Sequence, residues 1–251
     1  MPKERLDTLI HNRGLADSRE QARRLVMAGS VLVNGQPATK PGHRVADDVD
    51  ITLKSRPRFV SRGGEKLQGA VDAFELDVSD RVCMDIGAST GGFTDCLLQN
   101  GASRVYAIDV GRGQLDWRLR NDPRVVVMEG VNARYLADGD LPEKPSVATV
   151  DASFISLTKI LPAAIQVLAD EAQCIVLIKP QFEATRQDVG KGGVVRDPDV
   201  HEAVVRKVRE FSETELKLTW GGVVTSPIKG PAGNIEFLAR LMKTPGTGED
   251  V

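Results

Sequence analysis

The sequence predicts an α/β protein whose main domain is a mostly parallel sheet with helices on both faces, preceded by a small α+β domain. Beyond residue 65, strand-sized apolar runs alternate with helical patterns, which is the order that builds parallel sheets. A glycine-rich turn directly follows the first of these runs, as it does in open α/β sheets that bind a ligand there. Before residue 57, two short helical patterns and a hairpin signal form a separate group.

Length and charge agree with two domains of different character. The 251 residues allow one large or two modest domains, and the formal net charge of -2 argues against a basic nucleic-acid binder as a whole. Residues 1–60, however, hold 11 lysines and arginines against 7 acidic residues, whereas the remainder holds 22 against 28. The excess of positive charge in residues 1–60 suggests that this segment binds an anionic partner. A chance excess of exposed charge would give the same count.

The sequence contains no secretory, transit or membrane-spanning pattern, since its longest apolar runs have the length of strands. Cys83, Cys96 and Cys174 lie far apart in apolar runs and have no metal-ligand spacing with the three histidines. We therefore expect a cytoplasmic protein with buried thiols, no metal and no membrane partner.

The N-terminal elements follow from local signals. A helix over 4–13 has Leu6, Leu9 and Ile10 on one face and is stopped by Gly14. Ser18 and Gln21 form a capping-box pattern for a second helix, whose outer face is rich in arginine. A strand then enters an Asn-Gly hairpin turn at 34–35, and residues 49–53 form another strand.

A basic segment with Pro and Gly separates the two parts, so we expect an N-terminal domain over 1–56 and a linker over 57–64. The second domain spans 65–244, and the polar residues 245–251 are expected to be a disordered tail. Within the second domain, helices are predicted at 65–74 and 199–212. Strands are predicted near 82–86, 104–109, 124–128, 147–151, 174–179, 216–224 and 235–241.

The glycine-rich turn predicts the cofactor. A dinucleotide fingerprint needs a glycine where this chain has Ser89, so a pyrophosphate is not the expected ligand. An acid opens the turn, which suits a ligand without phosphates that has a cationic end, namely S-adenosylmethionine. Asp109 closes the next strand, where an acid can bind both ribose hydroxyls. The predicted cofactor residues are Asp85, Gly87, Ser89, Gly91, Gly92, Phe93, Asp109, Asn132 and Asp151.

Polar residues at strand ends predict a second set of functional side chains. Asp151 and Lys179 each end an apolar strand, Lys66 begins the helix before the glycine turn, and Glu236 interrupts an apolar run. Burying an ammonium without a partner is unfavourable, so Lys179 between apolar residues and Pro180 is an unusual choice for a turn. A lysine that reaches the surface beside an aspartate that caps a helix is the structural alternative.

Two helices followed by a small sheet resemble the S4 RNA-binding domain over residues 3–54, and the segment from Ser18 to Gly35 carries its signature. The resemblance implies RNA binding, although an ordinary solvated helix face would also present arginines. The charged, glycine-rich segment 181–197 is predicted to be a mobile loop over the substrate entrance, with a plain surface loop as the structural alternative. The candidate RNA-binding residues are Arg5, Arg19, Arg23, Arg24, Arg62, Lys191 and Arg196.

Lys66, Asp151, Lys179 and Glu236, in that order around the glycine turn, resemble the K-D-K-E set of FtsJ-type ribose methyltransferases. With an S4 domain in front, the whole chain resembles the TlyA family, also labelled haemolysin A. The resemblance implies a Rossmann-like methyltransferase sheet and 2'-O-methylation of a cytidine ribose in ribosomal RNA, 23S and possibly also 16S. It also implies S-adenosylmethionine as cofactor and ribosomal RNA or ribosomal subunits as partner.

In this chemistry a ribose hydroxyl must be held close to a methyl donor and lose its proton. Lys179 is the expected base or alkoxide stabiliser, Lys66 assists electrostatically, and the two carboxylates orient the lysines. Methylation of a base nitrogen usually requires a D/N-P-P-Y/F box, where this chain has Asp151-Ala-Ser-Phe154.

An RNA-binding assembly factor with little catalysis remains an alternative. A membrane-lytic protein is a weaker one, because the chain lacks an apolar span or a strongly cationic amphipathic helix.

Overall fold

A computed structural model of the chain describes residues 3–53 and 58–245. Its contacts divide the chain into two units, residues 1–58 and 59–251. Residue 57 of the predicted linker and residues 246–251 of the predicted tail lie outside the described residues. The two units are described separately below.

The N-terminal unit is a small α+β domain with a three-stranded antiparallel sheet of order β3-β2-β5 and a two-stranded ribbon, β1-β4. The predicted cap is confirmed, because the side chain of Ser18 accepts a hydrogen bond from the backbone N–H of Gln21. The core packs Leu6, Ile10 and Val26 together. The elements are β1 Lys3–Arg5, α1 Leu6–Asn12, α2 Arg19–Met27, β2 Val31–Val33, β3 Gln36–Pro37, β4 Arg44–Ala46 and β5 Ile51–Leu53.

The second unit contains a seven-stranded sheet of order β11-β12-β10-β9-β6-β7-β8. The elements are α3 Gly63–Phe74, β6 Val82–Ile86, α4 Gly92–Gln99, β7 Arg104–Asp109, α5 Trp117–Arg120, β8 Val125–Glu129, β9 Val147–Val150, α6 Leu161–Gln166, β10 Ala172–Ile178, α7 Pro180–Glu183, α8 Pro198–Thr214, β11 Thr219–Thr225 and β12 Phe237–Lys243. The strands from β6 to β10 pair in parallel, and β11 and β12 are antiparallel additions at one edge. The predicted α/β sheet is confirmed.

Both faces of this sheet are covered. Cys83 and Met84 are neighbours on β6 but belong to different apolar clusters, because successive strand residues point to opposite faces. Helices α3 and α4 supply one cluster, and α6 and α8 supply the other. The strand order reverses at β6, which places a crevice beyond the carboxyl ends of β6 and β9. The three cysteines are buried and free, as predicted, and burial raises the pKa of the Cys83 thiol to about 12.

Part of the predicted linker belongs to the folded second unit. Phe59 is buried in its core, and a Cβ added to Gly64 would lie 2.2 Å from the Phe59 ring. The Val60 N–H donates to the Asp95 carboxylate at 2.8 Å, and α3 begins at Gly63, two residues before the predicted start. The prediction of a linker through residue 64 was wrong from residue 59 onward, because an aromatic side chain at 59 fixes the segment.

Within residues 3–53 and 58–245, the model contains no helix that is long and apolar enough to cross a membrane. The same residues bring together no group of three or more His, Cys, Asp or Glu side chains that could hold a metal ion.

Candidate active site

The turn between β6 and α4 is shaped by three residues with left-handed backbone, Gly87 (φ 82°), Ser89 (φ 49°) and Gly91 (φ 98°). At Gly87 a Cβ would lie 2.4 Å from the carbonyl oxygen of Asp151, so only glycine fits. The N–H of Gly87 donates to the carbonyl of Ile108 at 2.8 Å. The turn is therefore fixed against the ends of both neighbouring strands.

Asp109 holds this turn from the end of β7. One carboxylate oxygen accepts the Ser89 N–H at 2.8 Å and the other accepts the Gly111 N–H at 2.7 Å. Asp109 also lines a cavity of about 250 Å³ together with Gly87 and Asn132. Each carboxylate oxygen keeps a lone pair for a further donor, such as one of two vicinal hydroxyls. The residues present here fit the ribose of S-adenosylmethionine.

Asp85 occupies a different environment from the one expected for a residue that contacts the cofactor. Its side chain is fully buried and accepts hydrogen bonds from the hydroxyls of Thr94 (2.7 Å) and Thr149 (3.0 Å). Burial raises the pKa of Asp85 to about 6, while the two threonine hydroxyls act in the opposite direction. In this position the carboxyl connects the end of β6 to Thr94 on α4 and Thr149 on β9. Its contact with a cofactor stays a prediction.

The four residues of the K-D-K-E set line one cavity of about 530 Å³, which is also bordered by Gly87 and Ser89. Lys66 comes from α3, Asp151 follows β9, Lys179 follows β10, and Glu236 precedes β12. Gly87 borders this cavity and the cavity beside Asp109. A ligand that spans both cavities would pass over the glycine turn.

The four charges form two ion pairs, one buried (Lys66–Glu236) and one in which Lys179 is buried and Asp151 is partly exposed. The ammonium of Lys66 lies 2.5 Å from a carboxylate oxygen of Glu236, and that of Lys179 lies 2.5 Å from Asp151. Lys179 also donates to the hydroxyl of Ser153 at 2.8 Å. The second carboxylate oxygen of Glu236 is buried and has no hydrogen-bond partner within the described part of the chain. Such an unpaired buried oxygen is uncommon and leaves an acceptor beside the cavity.

Glu183 is a functional candidate that the sequence interpretation missed. Its buried carboxylate accepts the Leu157 N–H at 2.6 Å, the Ser156 hydroxyl at 2.7 Å and the Lys207 ammonium at 3.1 Å. The carboxylate thereby joins three parts of the unit: the segment after Asp151, the helix after Lys179, and α8. An acidic residue at the end of the short Pro-Gln-Phe-Glu helix was the only signal for this role.

Phe154 is the second unexpected residue. Its side chain is 90% exposed, and its backbone has a φ of 65°, which is unusual for a bulky residue. The ring centroids of Phe154 and Phe182 lie 5.2 Å apart, and both residues line the 530 Å³ cavity. The exposed ring of Phe154, beside the half-buried Phe182, offers a stacking surface to a planar ligand.

The predicted RNA-binding arginines of the N-terminal unit are exposed but not all independent. Arg5 donates two hydrogen bonds to the buried Asp7, and Arg19 lies 3.5 Å from the same carboxylate. The Arg5 guanidinium holds the pKa of Asp7 below its usual value. Arg23 lies 4.0 Å from Glu20, whereas Arg24 is exposed and forms no ion pair among the described residues.

The remaining RNA-binding candidates belong to the second unit. Arg62 borders a cavity with Lys66 and Asp151, and its guanidinium donates to the backbone carbonyl of Lys229 at 3.3 Å. Lys191 and Arg196 are both exposed in the loop after α7.

Comparison with known proteins gives the following matches. An FtsJ-like methyltransferase family model matches residues 59–243, and an S4 domain model matches residues 4–51. The chain is 46% identical over 243 residues to the 16S/23S rRNA (cytidine-2'-O)-methyltransferase TlyA of Mycobacterium tuberculosis, covering 95% of this chain and 90% of that protein. It is 44% identical over 243 residues to Hemolysin A of Brachyspira hyodysenteriae, covering 95% and 99%. A solved structure of a Streptococcus thermophilus protein is 50% identical, with a TM-score of 0.74 and coverage of 97% and 90%.

Proposed function

The chain belongs to the TlyA family of FtsJ-like methyltransferases with an N-terminal S4 domain, and from this membership we propose that it methylates the 2'-oxygen of a cytidine ribose in ribosomal RNA. One observation carries the proposal. Two lysines, each 2.5 Å from a carboxylate, line the same cavity as the glycine turn. Such convergence of paired charges at the carboxyl edge of a parallel sheet is typical of an active site.

In this proposal S-adenosylmethionine is the donor and supplies an electrophilic methyl group on a sulfonium. Asp109 accepts hydrogen bonds from the ribose hydroxyls of the donor, and Asn132 lies in the same cavity on the adenine side. Gly87, Ser89 and Gly91 give the turn its left-handed shape, and Gly92 and Phe93 begin the helix behind it. The support for these roles is the geometry of the turn and the remaining acceptor capacity of Asp109.

Lys179 acts on the attacking hydroxyl, either by taking its proton or by stabilising the negative charge that develops on the oxygen. Asp151 and Ser153 fix the position of the Lys179 ammonium, and Glu236 fixes that of Lys66.

RNA binding is assigned to three groups of residues. The basic N-terminal unit, which matches the S4 model, supplies exposed arginines for the phosphate backbone. Arg62, Lys191 and Arg196 add positive charge in the second unit. Phe154 is placed to stack on a base that has left its helix, since enzymes and RNA-binding proteins hold unstacked bases on aromatic rings.

The direct test is to incubate the purified protein with S-adenosylmethionine and 23S rRNA, 16S rRNA or ribosomal subunits, and to map the methyl group. We expect a 2'-O-methylcytidine, detected as resistance of one phosphodiester bond to alkaline hydrolysis. A methyl group on a base nitrogen would contradict the ribose assignment. RNA binding without any methyl transfer would instead favour the assembly-factor alternative. Release of dye from liposomes would favour a lytic role, which the name of the Brachyspira relative suggests.

A further inference from the structure

A further cavity, of about 340 Å³, lies beside the active-site cavity and is positively charged. Arg196 and Lys229 line it, and no acidic side chain from the described part of the chain does. Ala232 lines both this cavity and the active-site cavity, so the two are neighbours. Across the described ranges of the chain, neither Arg196 nor Lys229 forms an ion pair. Two cations thus share a cavity in which no side chain balances their charge.

The backbone around this cavity is fixed by one buried side chain. Asn234 is 1% exposed; its amide oxygen accepts the Val195 N–H at 2.9 Å, and its amide nitrogen donates to the carbonyl of Gly193 at 2.9 Å. The carbonyl of Asn234 accepts the N–H of Gly230 at 2.9 Å. Asn234 therefore joins the loop that carries Arg196 to the turn that carries Lys229, two residues before Glu236.

We propose that the cavity between Arg196 and Lys229 binds a backbone phosphate of the RNA next to the nucleotide whose ribose enters the active site. An arginine and a lysine that lack counter-charges are a typical phosphate pair, and a polynucleotide that places one ribose in a cavity must place the adjoining phosphate close by. The inference rests on the proposed function and deepens it. Arg62 supports the same turn through its hydrogen bond to the Lys229 carbonyl. His201 also lines this cavity, and its Nε2 is hydrogen-bonded to the Val195 carbonyl at 3.1 Å.

The test compares Lys229→Gln and Arg196→Gln with a control, Arg81→Gln. Arg81 is exposed and directly precedes β6, at the end of the strand opposite the glycine turn. We expect each of the first two variants to raise the KM for rRNA about tenfold, with kcat and S-adenosylmethionine affinity within about twofold of wild type. The slope of log affinity against log salt should fall by roughly 0.7–0.9 for each contact that is lost. The control should match the wild type in all four measurements.

Two results would overturn the inference. If Lys229→Gln and Arg196→Gln behave like the control in KM and salt slope, then the cavity does not contact the RNA backbone. If they lose affinity for inorganic phosphate at constant ionic strength but keep the wild-type KM for RNA, then the cavity is a site for free phosphate. Failure of the proposed function itself would differ from both, because the wild-type protein would then transfer no methyl group to ribose.

Discussion

The two units of this chain use charge in opposite ways. In the N-terminal unit the arginines are exposed, and Arg5 and Arg19 surround a single buried carboxylate, Asp7. In the second unit the ammonium groups of Lys66 and Lys179 are themselves buried against carboxylates. Exposed cations bind a phosphate backbone with little specificity and with strong dependence on salt. Buried ion pairs gain little stability after desolvation, so their presence indicates chemistry rather than folding.

The buried aspartates show the same contrast. The pKa of Asp7 is held low by the hydrogen bonds from Arg5, whereas the pKa of Asp85 is raised to about 6 because burial outweighs its two threonine partners. One carboxylate is thus stabilised in its charged form and the other in its neutral form. The difference shows that the balance between burial and partners sets the pKa of a carboxyl group: one guanidinium outweighs burial at Asp7, and two hydroxyls do not outweigh it at Asp85.

The sharpest test of the comparison is loss of a buried lysine. Lys179→Met should lower the kcat for methyl transfer by about a thousandfold or more, because the group acting on the attacking oxygen is removed. S-adenosylmethionine affinity should stay within a fewfold of the wild type, as measured by calorimetry. A matched control is Lys144→Met, which removes a lysine whose ion pair with Asp138 is exposed and lies before β9. Methyl transfer by Lys179→Met at the control rate would contradict the assigned role.

Asp85 should give the second unit an unusual dependence of stability on pH. Its folded-state pKa of about 6 exceeds the ordinary value of 3.8, so the folded state holds the proton more tightly than the unfolded state. Its contribution is fully present below pH 4 and declines as pH rises through 6, by about 3 kcal/mol in the free energy of unfolding. Denaturant titrations of the wild type and Asp85→Asn should differ in slope between pH 4 and 6. Parallel curves would show that Asp85 does not titrate there.

Loss of the carboxylate that joins the active-site segments should have an intermediate effect. Glu183→Gln keeps the shape of the side chain but weakens its bonds to Leu157, Ser156 and Lys207, so we expect kcat to fall about tenfold. The segment after Asp151 and the helix after Lys179 would then be held together less firmly. Lys207→Met provides the second arm of a double-mutant cycle, measured by kcat and by thermal unfolding. Additive effects on kcat would mean that Glu183 and Lys207 do not act as a unit.

The exposed arginines should give the smallest effects. Arg24→Gln removes one charge from the N-terminal unit, and we expect rRNA affinity to fall about threefold to fivefold, with kcat at saturating RNA unchanged. Filter binding at several salt concentrations would measure the change in slope. Arg23→Gln, at a second candidate RNA-binding arginine, should lower the affinity less than Arg24→Gln, because Arg23 already lies 4.0 Å from Glu20. A kcat loss in either variant would break the proposed division between binding in one unit and chemistry in the other.

The sequence could predict most of the elements because their signals are local. The parallel strands, the Ser18 cap and the glycine-rich turn at Gly87 each follow from a few neighbouring residues. The ribbon of β1 and β4 could not be predicted, because three-residue strands about forty positions apart carry no periodicity. The boundary of the second unit was also placed too late, since the packing of Phe59 against Gly64 is a tertiary contact.

The same limit applies to the active site. Lys66, Asp151, Lys179 and Glu236 could be predicted from their positions in the chain and from the resemblance to a known family. All four line one cavity in the structure. Which lysine pairs with which carboxylate depends on the sheet order, which no local pattern contains. Glu183 was missed for a related reason: its three partners come from distant segments, so its function is visible only in three dimensions.

The contact between Gly87 and Asp151 limits how this protein can be engineered or can evolve. A Cβ at position 87 would lie 2.4 Å from the Asp151 carbonyl, so even alanine must displace the strand end that holds the carboxylate. If the proposed function holds, the residue that shapes the donor turn and the backbone of the residue that positions Lys179 are in direct contact. Attempts to accept bulkier donor analogues by altering this turn would then disturb the proposed reaction itself, and room for such analogues is better sought around Val110 or Arg134, which line the same cavity as Asp109.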